Sequence, residues 1–293
     1  MPLPERYLTC CFLTYEKGAV LIDCGEGTQV ALRKAEQKLS KLSLLLITHF
    51  HADHVAGFPG LMLALANTGK TDTLTVAAPE GAKRILNSLL TIAQPLPFPV
   101  EYAELPRERG SFVHTFDRRQ SITVDYLPLR HSTRCFGYSL TLARLPVFSP
   151  EKAEALGIPK PMYKLLHGGA DVTLADGRVI TPGMVLAGTR EPIKVCYVTD
   201  TAPFAGISEL ASRSALFISE GMYGDDDMRA SMRDKKHMLF SDSAKLAAAA
   251  DVTELWLTHY SPAMLNPRDY TAHARKYFPN TRAGRDGMCT TLG

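Results

Sequence analysis

The sequence predicts an α/β protein with more than one sheet, and two observations carry that expectation. Short β-rich runs alternate with helix-like segments along the chain, and their spacing mixes hairpin with crossover lengths. Polar residues able to bind metal also recur at the exits of several apolar runs, which is how an open α/β sheet gathers a site at one edge.

In chain order, the β-rich runs fall at 8–15, 19–23, 44–48, 74–78, 122–127, 135–142, 194–199, 215–219 and 254–258. Helix-like segments occupy 26–38, 53–66, 80–90, 241–250 and 267–278, with Asp53 and Ser241 placed as N-caps of two of them. The stretch 143–190 departs from this rhythm. It is rich in Pro, Gly and Lys and carries two turn signals, Ala175-Asp176-Gly177 and Thr181-Pro182-Gly183. At that length it exceeds an ordinary loop and reads as a functional insertion, an arm projecting from the core.

A chain of 293 residues, 45% hydrophobic and 22% charged, can bury a normal core. No internal repeat or low-complexity linker divides it, so a single domain over 1–293 is the simpler organisation. The net charge of +3 is too small to argue for nucleic acid, and any basic surface must be local. Cysteines at 10, 11, 24, 135, 196 and 289 show no C-x-x-C spacing and follow no secretory segment. That pattern excludes a disulfide framework and a cysteine zinc site, and fits a reducing, cytoplasmic setting. The longest apolar stretches, such as 42–47, fall well short of the roughly 20 residues needed to span a bilayer, and no lipidation motif is present.

The strongest chemical signal is His49-Phe50-His51-Ala52-Asp53-His54, directly after the apolar run 44–48. A turn at the strand end lets His49 and His51 face one metal while Asp53 and His54 face a second. Imidazole and carboxylate suit Zn²⁺, with Mn²⁺ or Fe²⁺ as substitutes. Two metals need more than four ligands, and the sequence offers His131, Asp200 and His259, each just beyond a β-rich run. A single histidine at a strand end is usually a surface residue; the joint pattern is what makes these candidates. His114, His167 and His273 have no such context and read as surface residues.

His-x-His-x-Asp-His followed by a later His, an Asp and a final His resembles the metallo-β-lactamase superfamily, which implies a four-layer αββα sandwich. Within it, the chain is similar to the ribonuclease Z family over nearly its whole length. Asp23-Cys24-Gly25-Glu26-Gly27-Thr28-Gln29, Gly57-Phe58-Pro59-Gly60-Leu61, the stretch from His131 to Gly137-Tyr138, the run 151–159, and Thr258-His259-Tyr260-Ser261 all fall where that family has equivalents. The resemblance implies a first metal held by His49, His51 and His131, a second by Asp53, His54 and His259, and Asp200 bridging both. Glu220, in Ile218-Ser219-Glu220-Gly221, matches the carboxylate of the family's His-Glu-Ala-Thr segment, and His237 matches its late histidine.

Three departures stand out. Family members begin with a strand and a Gly-Thr-Gly turn ahead of the segment opening here as Met1-Pro2-Leu3-Pro4-Glu5-Arg6, so either the start lies inside a longer protein or the first sheet lacks a strand. Ser219 and Gly221 replace the His and Ala of the His-Glu-Ala-Thr segment. The arm, at Gly157-Ile158-Pro159-Lys160-Pro161-Met162-Tyr163, lacks the family's Gly-Pro pair and is one residue shorter.

By resemblance, the expected activity is zinc-dependent removal of 3′ trailers from precursor tRNA. Asp53 would orient or deprotonate the attacking water, and His237, aligned by Glu220, would protonate the departing ribose oxygen. Lys152, Lys160, Lys164, Arg178, Arg190 and Lys194 are candidate phosphate contacts, and the family implies a homodimer. Two rival functions remain open at this stage. One is a hydrolase of a small phosphodiester, sulfate ester or (thio)ester on the same fold, which would have no need of the arm or of Glu220 with His237. The other is an inactive nucleic-acid-binding member, which would have no reason to keep Asp53 and Asp200.

Overall fold

The computed structural model describes residues 3, 6–117, 120–144, 146–188 and 190–293. Most of the opening segment, at 1, 2, 4 and 5, and positions 145 and 189 of the arm lie outside the described residues. The first half of the chain runs β1 (Cys11–Thr14), β2 (Ala19–Ile22), α1 (Thr28–Lys34), β3 (Leu42–Leu46), α2 (Ala52–Val55), α3 (Phe58–Ala66), β4 (Leu74–Pro79), α4 (Ala82–Leu90) and β5 (Val100–Leu105). Its five strands form one sheet in sequence order, antiparallel at the β1–β2 hairpin and parallel thereafter.

The antiparallel strands β6 (Gly110–Thr115), β7 (Ser121–Pro128) and β8 (Phe136–Leu142) then begin a second sheet. Next comes the arm, with β9 (Val147–Phe148), α5 (Pro150–Ala155), α6 (Tyr163–His167), β10 (Val172–Thr173), β11 (Val179–Ile180) and β12 (Leu186–Ala187). The chain returns through β13 (Ile193–Val198), α7 (Ala205–Ala211), β14 (Leu216–Glu220), α8 (Arg229–Lys235), α9 (Phe240–Ala249), β15 (Leu255–Thr258), α10 (Thr271–Arg275) and β16 (Thr281–Ala283). The second sheet has seven strands in the order β16-β15-β14-β13-β8-β7-β6, with β13 to β16 parallel.

Alternation along the strands explains why the sheets stack. Val20, Ile22, Leu44 and Leu46 of the first sheet pack against Tyr126, Tyr138, Leu140, Val195, Tyr197 and Trp256 of the second. The intervening residues Leu21 and Leu45 face outward to Leu61, Met62 and Leu65 of α3 and Leu86 of α4. On the far side, Cys196, Val198, Phe217 and Leu257 face Ile207 and Leu210 of α7 and Ala244 and Ala247 of α9. The result is the expected αββα sandwich. β2 and β3, covered on both faces, read as continuous apolar runs, as strands buried on both sides do.

Several expected boundaries shift. The helix expected over 53–66 is two helices, because the Gly57 N–H donates to Cys24 O at 2.9 Å instead of continuing the ladder. A Cβ on Gly57 would lie 2.0 Å from Gly25 O, so only glycine permits this approach. Asp53 is not an N-cap: α2 starts at Ala52 with extended His51 before it, which frees the Asp53 carboxylate. Ser241 is not one either. Leu239 precedes α9, Asp242 accepts from the Leu239 N–H at 3.2 Å, and Ser241 lies buried within the first turn. The segment expected as one helix over 267–278 is a 3₁₀ turn, Pro267–Tyr270, followed by α10.

The arm carries a small apolar cluster of its own, with Ala153, Ile158, Leu166, Val172, Ile180 and Val185 buried. The pairing of β9 with β12 closes its base, and β10 with β11 forms a hairpin whose turn is the expected Ala175-Asp176-Gly177.

Candidate metal centre

The site forms where strands of both sheets end on the same edge. Asp23 follows β2, His49 follows β3, Asp200 follows β13, Glu220 ends β14 and His259 follows β15, while His131 lies in the turn between β7 and β8. Three of these residues leave their strands with left-handed backbones: Asp23 at φ 59°, Asp200 at φ 38° and His259 at φ 55°. Non-glycine residues held there store strain, each of order 1 kcal/mol or more, and such strain collects at functional sites.

Two groups of ligand atoms result. His49 Nε2 lies 3.0 Å from His51 Nδ1, which lies 3.3 Å from His131 Nε2. In the second group, His54 Nε2 is 3.3 Å from His259 Nε2 and 3.6 Å from Asp53 Oδ2, and His259 Nε2 is 3.5 Å from that same oxygen. Asp200 stands between them. Its Oδ2 lies 3.2 Å from His54 Nε2 and 3.3 Å from His259 Nε2, and its Oδ1 lies 3.9 Å from His131 Nε2. Ligands about 2.0–2.1 Å from a tetrahedral zinc sit roughly 3.3 Å from one another, so both groups have the spacing a metal requires.

The donor chemistry fits a cation as well. His54 Nδ1 donates to buried Asp23 Oδ2 at 2.8 Å, so Nε2, facing His259 Nε2, is the nitrogen left for a cation. Asp200 Oδ2 is buried and receives no well-aligned hydrogen bond. Burial and the neighbouring charge of His54 push the His49 imidazole down to about 2, keeping it neutral as a ligand must be. At His54 burial opposes protonation, but the charge of Asp23 outweighs it and raises the ring to about 9; at His259 burial is likewise overcome, by Asp200 and Asp53. In the absence of a cation, carboxylates hold protons on these two rings. The centre opens to solvent at exposed His51 and at Asp53, whose side chain is 40% accessible.

Glu220 and His237 meet beside this centre. Glu220 is fully buried, with Oε1 accepting the N–H groups of Thr201 at 2.7 Å and Met238 at 3.2 Å. Its Oε2 accepts from His237 Nδ1 at 2.8 Å, leaving His237 Nε2 free to carry a proton. Burial opposes the His237 imidazolium, yet the hydrogen bond and charge of Glu220 hold its pKa above the ordinary value. The His237 ring is 5.3 Å from that of His131. Ser219, which takes the histidine position of the resembled segment, is buried and donates to Ser243 at 3.0 Å.

Sequence reasoning did not single out Asp23 or Thr48 as site residues. Asp23 Oδ1 accepts the Thr48 N–H at 2.8 Å, and the Thr48 hydroxyl lies 3.0 Å from His49 Nδ1. The signals were an Asp at the end of an apolar run, as at Asp200, and its place at the head of the family-like segment 23–29, neither of which names its partners. Of the histidines read as surface residues, His167 is exposed, but His114 is half-buried beside Ser43 Oγ at 2.9 Å, and His273 is half-buried 3.4 Å from Asp226. The candidate phosphate contacts separate into two sets. Lys152 donates to Leu186 O, Arg178 pairs with Asp176, and half-buried Lys194 donates to Ser212 O, whereas Lys160, Lys164 and Arg190 are exposed on the arm.

Comparison with known proteins adds sequence and structural relatives. A family model described as Anti-Pycsar protein Apyc1 matches residues 4–94, under half of the chain. Ribonuclease Z of Lachnospira eligens is 41% identical over 292 residues, covering 100% of this chain and 94% of its own length. Ribonuclease Z of Clostridium acetobutylicum is 38% identical, covering 98% of this chain and 93% of its own. Among solved structures, the short form of human tRNase Z superposes with a TM-score of 0.69 at 20% identity, covering 100% of this chain and 95% of that one. The metallo-β-lactamase fold protein YhfI from Bacillus subtilis gives 0.66 at 16% identity, covering 98% and 93%. These two superpositions are evidence for the fold alone.

Proposed function

The chain belongs to the ribonuclease Z family, and on that premise we propose that it is a zinc-dependent endoribonuclease that removes 3′ trailers from precursor tRNA. The observation that carries this reading is the pairing of two metal-spaced ligand groups with a buried carboxylate–histidine pair beside them. We assign His49, His51 and His131 to one cation, Asp53, His54 and His259 to the other, and Asp200 to both. Zinc suits the imidazole and carboxylate donors, with Mn²⁺ or Fe²⁺ as substitutes. Bound there, two such cations supply Lewis-acid activation of water and charge stabilisation at a phosphodiester.

The chain's own groups do the rest. Burial opposes ionisation of Asp53, but the hydrogen bond from His259 and the charge of His54 hold its carboxyl below the usual range, so it stands ionised to orient or deprotonate the attacking water. His237 donates the Nε2 proton to the departing ribose oxygen, and Glu220 holds the ring in the tautomer and orientation this needs. The product is a tRNA 3′-hydroxyl facing a 5′-phosphorylated trailer. Lys160, Lys164 and Arg190 of the arm meet substrate phosphates. On family grounds the enzyme acts as a homodimer in the cytoplasm, a setting that the unpaired cysteines support. Among the described residues no helix is long and apolar enough to cross a membrane.

The test is incubation of zinc-loaded protein with a precursor tRNA bearing a 3′ trailer, beside the Asp53→Ala variant and a chelator control. Cleavage at the discriminator base that both controls abolish supports the proposal. An intact precursor alongside brisk metal-dependent hydrolysis of a small phosphodiester overturns it.

A further inference from the structure

Lys236 ends α8 in the left-handed conformation, φ 58° and ψ 50°, at a position where glycine is the usual helix terminator. Its exposed side chain does not run into solvent. The ammonium donates to the backbone carbonyl of His131 at 3.1 Å, across 105 positions of sequence. His131 belongs to an irregular turn outside any strand, and its Nδ1 has no hydrogen-bond partner among the described residues. The ring is therefore not oriented through its second nitrogen, as His54 is by Asp23. The neighbouring backbone is anchored on the Asp200 side by the Ala202 N–H to Arg130 O at 2.9 Å and by the Arg130 N–H to Thr201 Oγ1 at 2.9 Å. On the His237 side, Lys236 is the anchor of this turn among the described residues.

We propose that Lys236 is a positioning residue, a latch that fixes the turn carrying His131 against the turn carrying His237. It acts through both. Holding the His131 carbonyl sets where that imidazole meets the first cation, and the next residue along from the latch is the proton donor. The strained backbone at 236 aims the ammonium across the gap, while Glu220 anchors His237 from the opposite side. The inference rests on the metallohydrolase reading of the centre.

The test compares the wild type with Lys236→Gly, Lys236→Met and Lys236→Arg. Glycine adopts the left-handed backbone without strain, so Lys236→Gly removes the side chain and keeps the turn. Zinc affinity is measured by competition with a chromogenic chelator before any RNA is added, followed by kcat and KM on precursor tRNA across a salt series. The latch predicts about tenfold weaker zinc binding at one of the two sites and a similar loss in kcat for Lys236→Gly and Lys236→Met. KM should stay within about twofold, the salt slope should not change, and Lys236→Arg should recover most of the loss. Unchanged zinc affinity and kcat in Lys236→Gly would overturn the latch. So would a loss confined to KM with a salt slope lower by about one, the mark of a direct phosphate contact. A wild type that takes up no zinc fails the metallohydrolase reading itself, a result distinct from either of these.

Discussion

Replacing Asp23 by asparagine tests how the second ligand group is held. Asp23 is fully buried and presents one oxygen to the Thr48 N–H at 2.8 Å and the other to His54 Nδ1 at 2.8 Å. An asparagine is nearly isosteric and tolerates the left-handed backbone, but offers one carbonyl oxygen and one NH₂. Whichever way the amide turns, one of the two donors then faces another donor. Leaving a buried group unsatisfied costs about 1–3 kcal/mol, or roughly 5- to 160-fold in the equilibrium that bears it. If the NH₂ faces Thr48, the loss falls on folding and appears as a drop of several degrees in the melting temperature of the metal-free protein. If it faces His54, the ring flips tautomer, Nε2 carries the proton, and the loss falls on the affinity of the second cation. Differential scanning calorimetry of the metal-free protein and chelator competition on the loaded one measure the two together. An Asp23→Asn protein that melts like the wild type and binds both cations within about threefold would refute the reasoning.

Further expectations follow from the same geometry. With His237 the proton donor proposed above and its pKa held above the ordinary value by Glu220, kcat should fall as pH rises through a value above that of an ordinary histidine; Glu220→Gln should move that fall to lower pH, as pH–rate profiles will show. His237→Ala should lower single-turnover cleavage by about 10²–10⁴-fold while zinc content, read by elemental analysis, stays at the wild-type level. His54 and His259 hold protons in the metal-free protein, so zinc affinity at their site should weaken as pH falls, by about one decade per pH unit for each proton displaced. Replacing Lys160, Lys164 and Arg190 together with alanine should raise KM for precursor tRNA and reduce the salt slope by up to about 3, leaving hydrolysis of a small phosphodiester unchanged. Gly57→Ala must displace the Gly25 carbonyl and should destabilise the protein by about 1–3 kcal/mol, measurable by urea unfolding.

The candidate ligand groups were legible because their chemistry is local. Four candidate ligands crowd into 49–54, and the three others each follow an apolar run that is a strand in the structure. Asp23 was not legible as a site residue because its role depends on a partner on the neighbouring strand, which spacing does not reveal. Strands β5 and β6 escaped notice because they lie at sheet edges and bury little: VEYAEL and GSFVHT alternate exposed and partly covered residues, whereas β2 and β3 are apolar on both faces. The single helix expected over 53–66 failed at Gly57, where a contact with Cys24 displaced the local hydrogen bond that periodicity assumes. Within the arm, the turn at 175–177 could be read from Asp-Gly, while its two short strand pairs, each only two residues long, leave no periodic trace.

The two metal-spaced groups draw on both sheets, with His49, His51, Asp53 and His54 from the first and His131, Asp200 and His259 from the second. During synthesis the first four emerge early, yet neither group is complete until the second sheet has docked, and His259 is made shortly before β16. A partly made chain can therefore hold these histidines without assembling either group. On the function proposed above, a nascent chain among the cell's RNAs would stay inert until the two sheets close on each other.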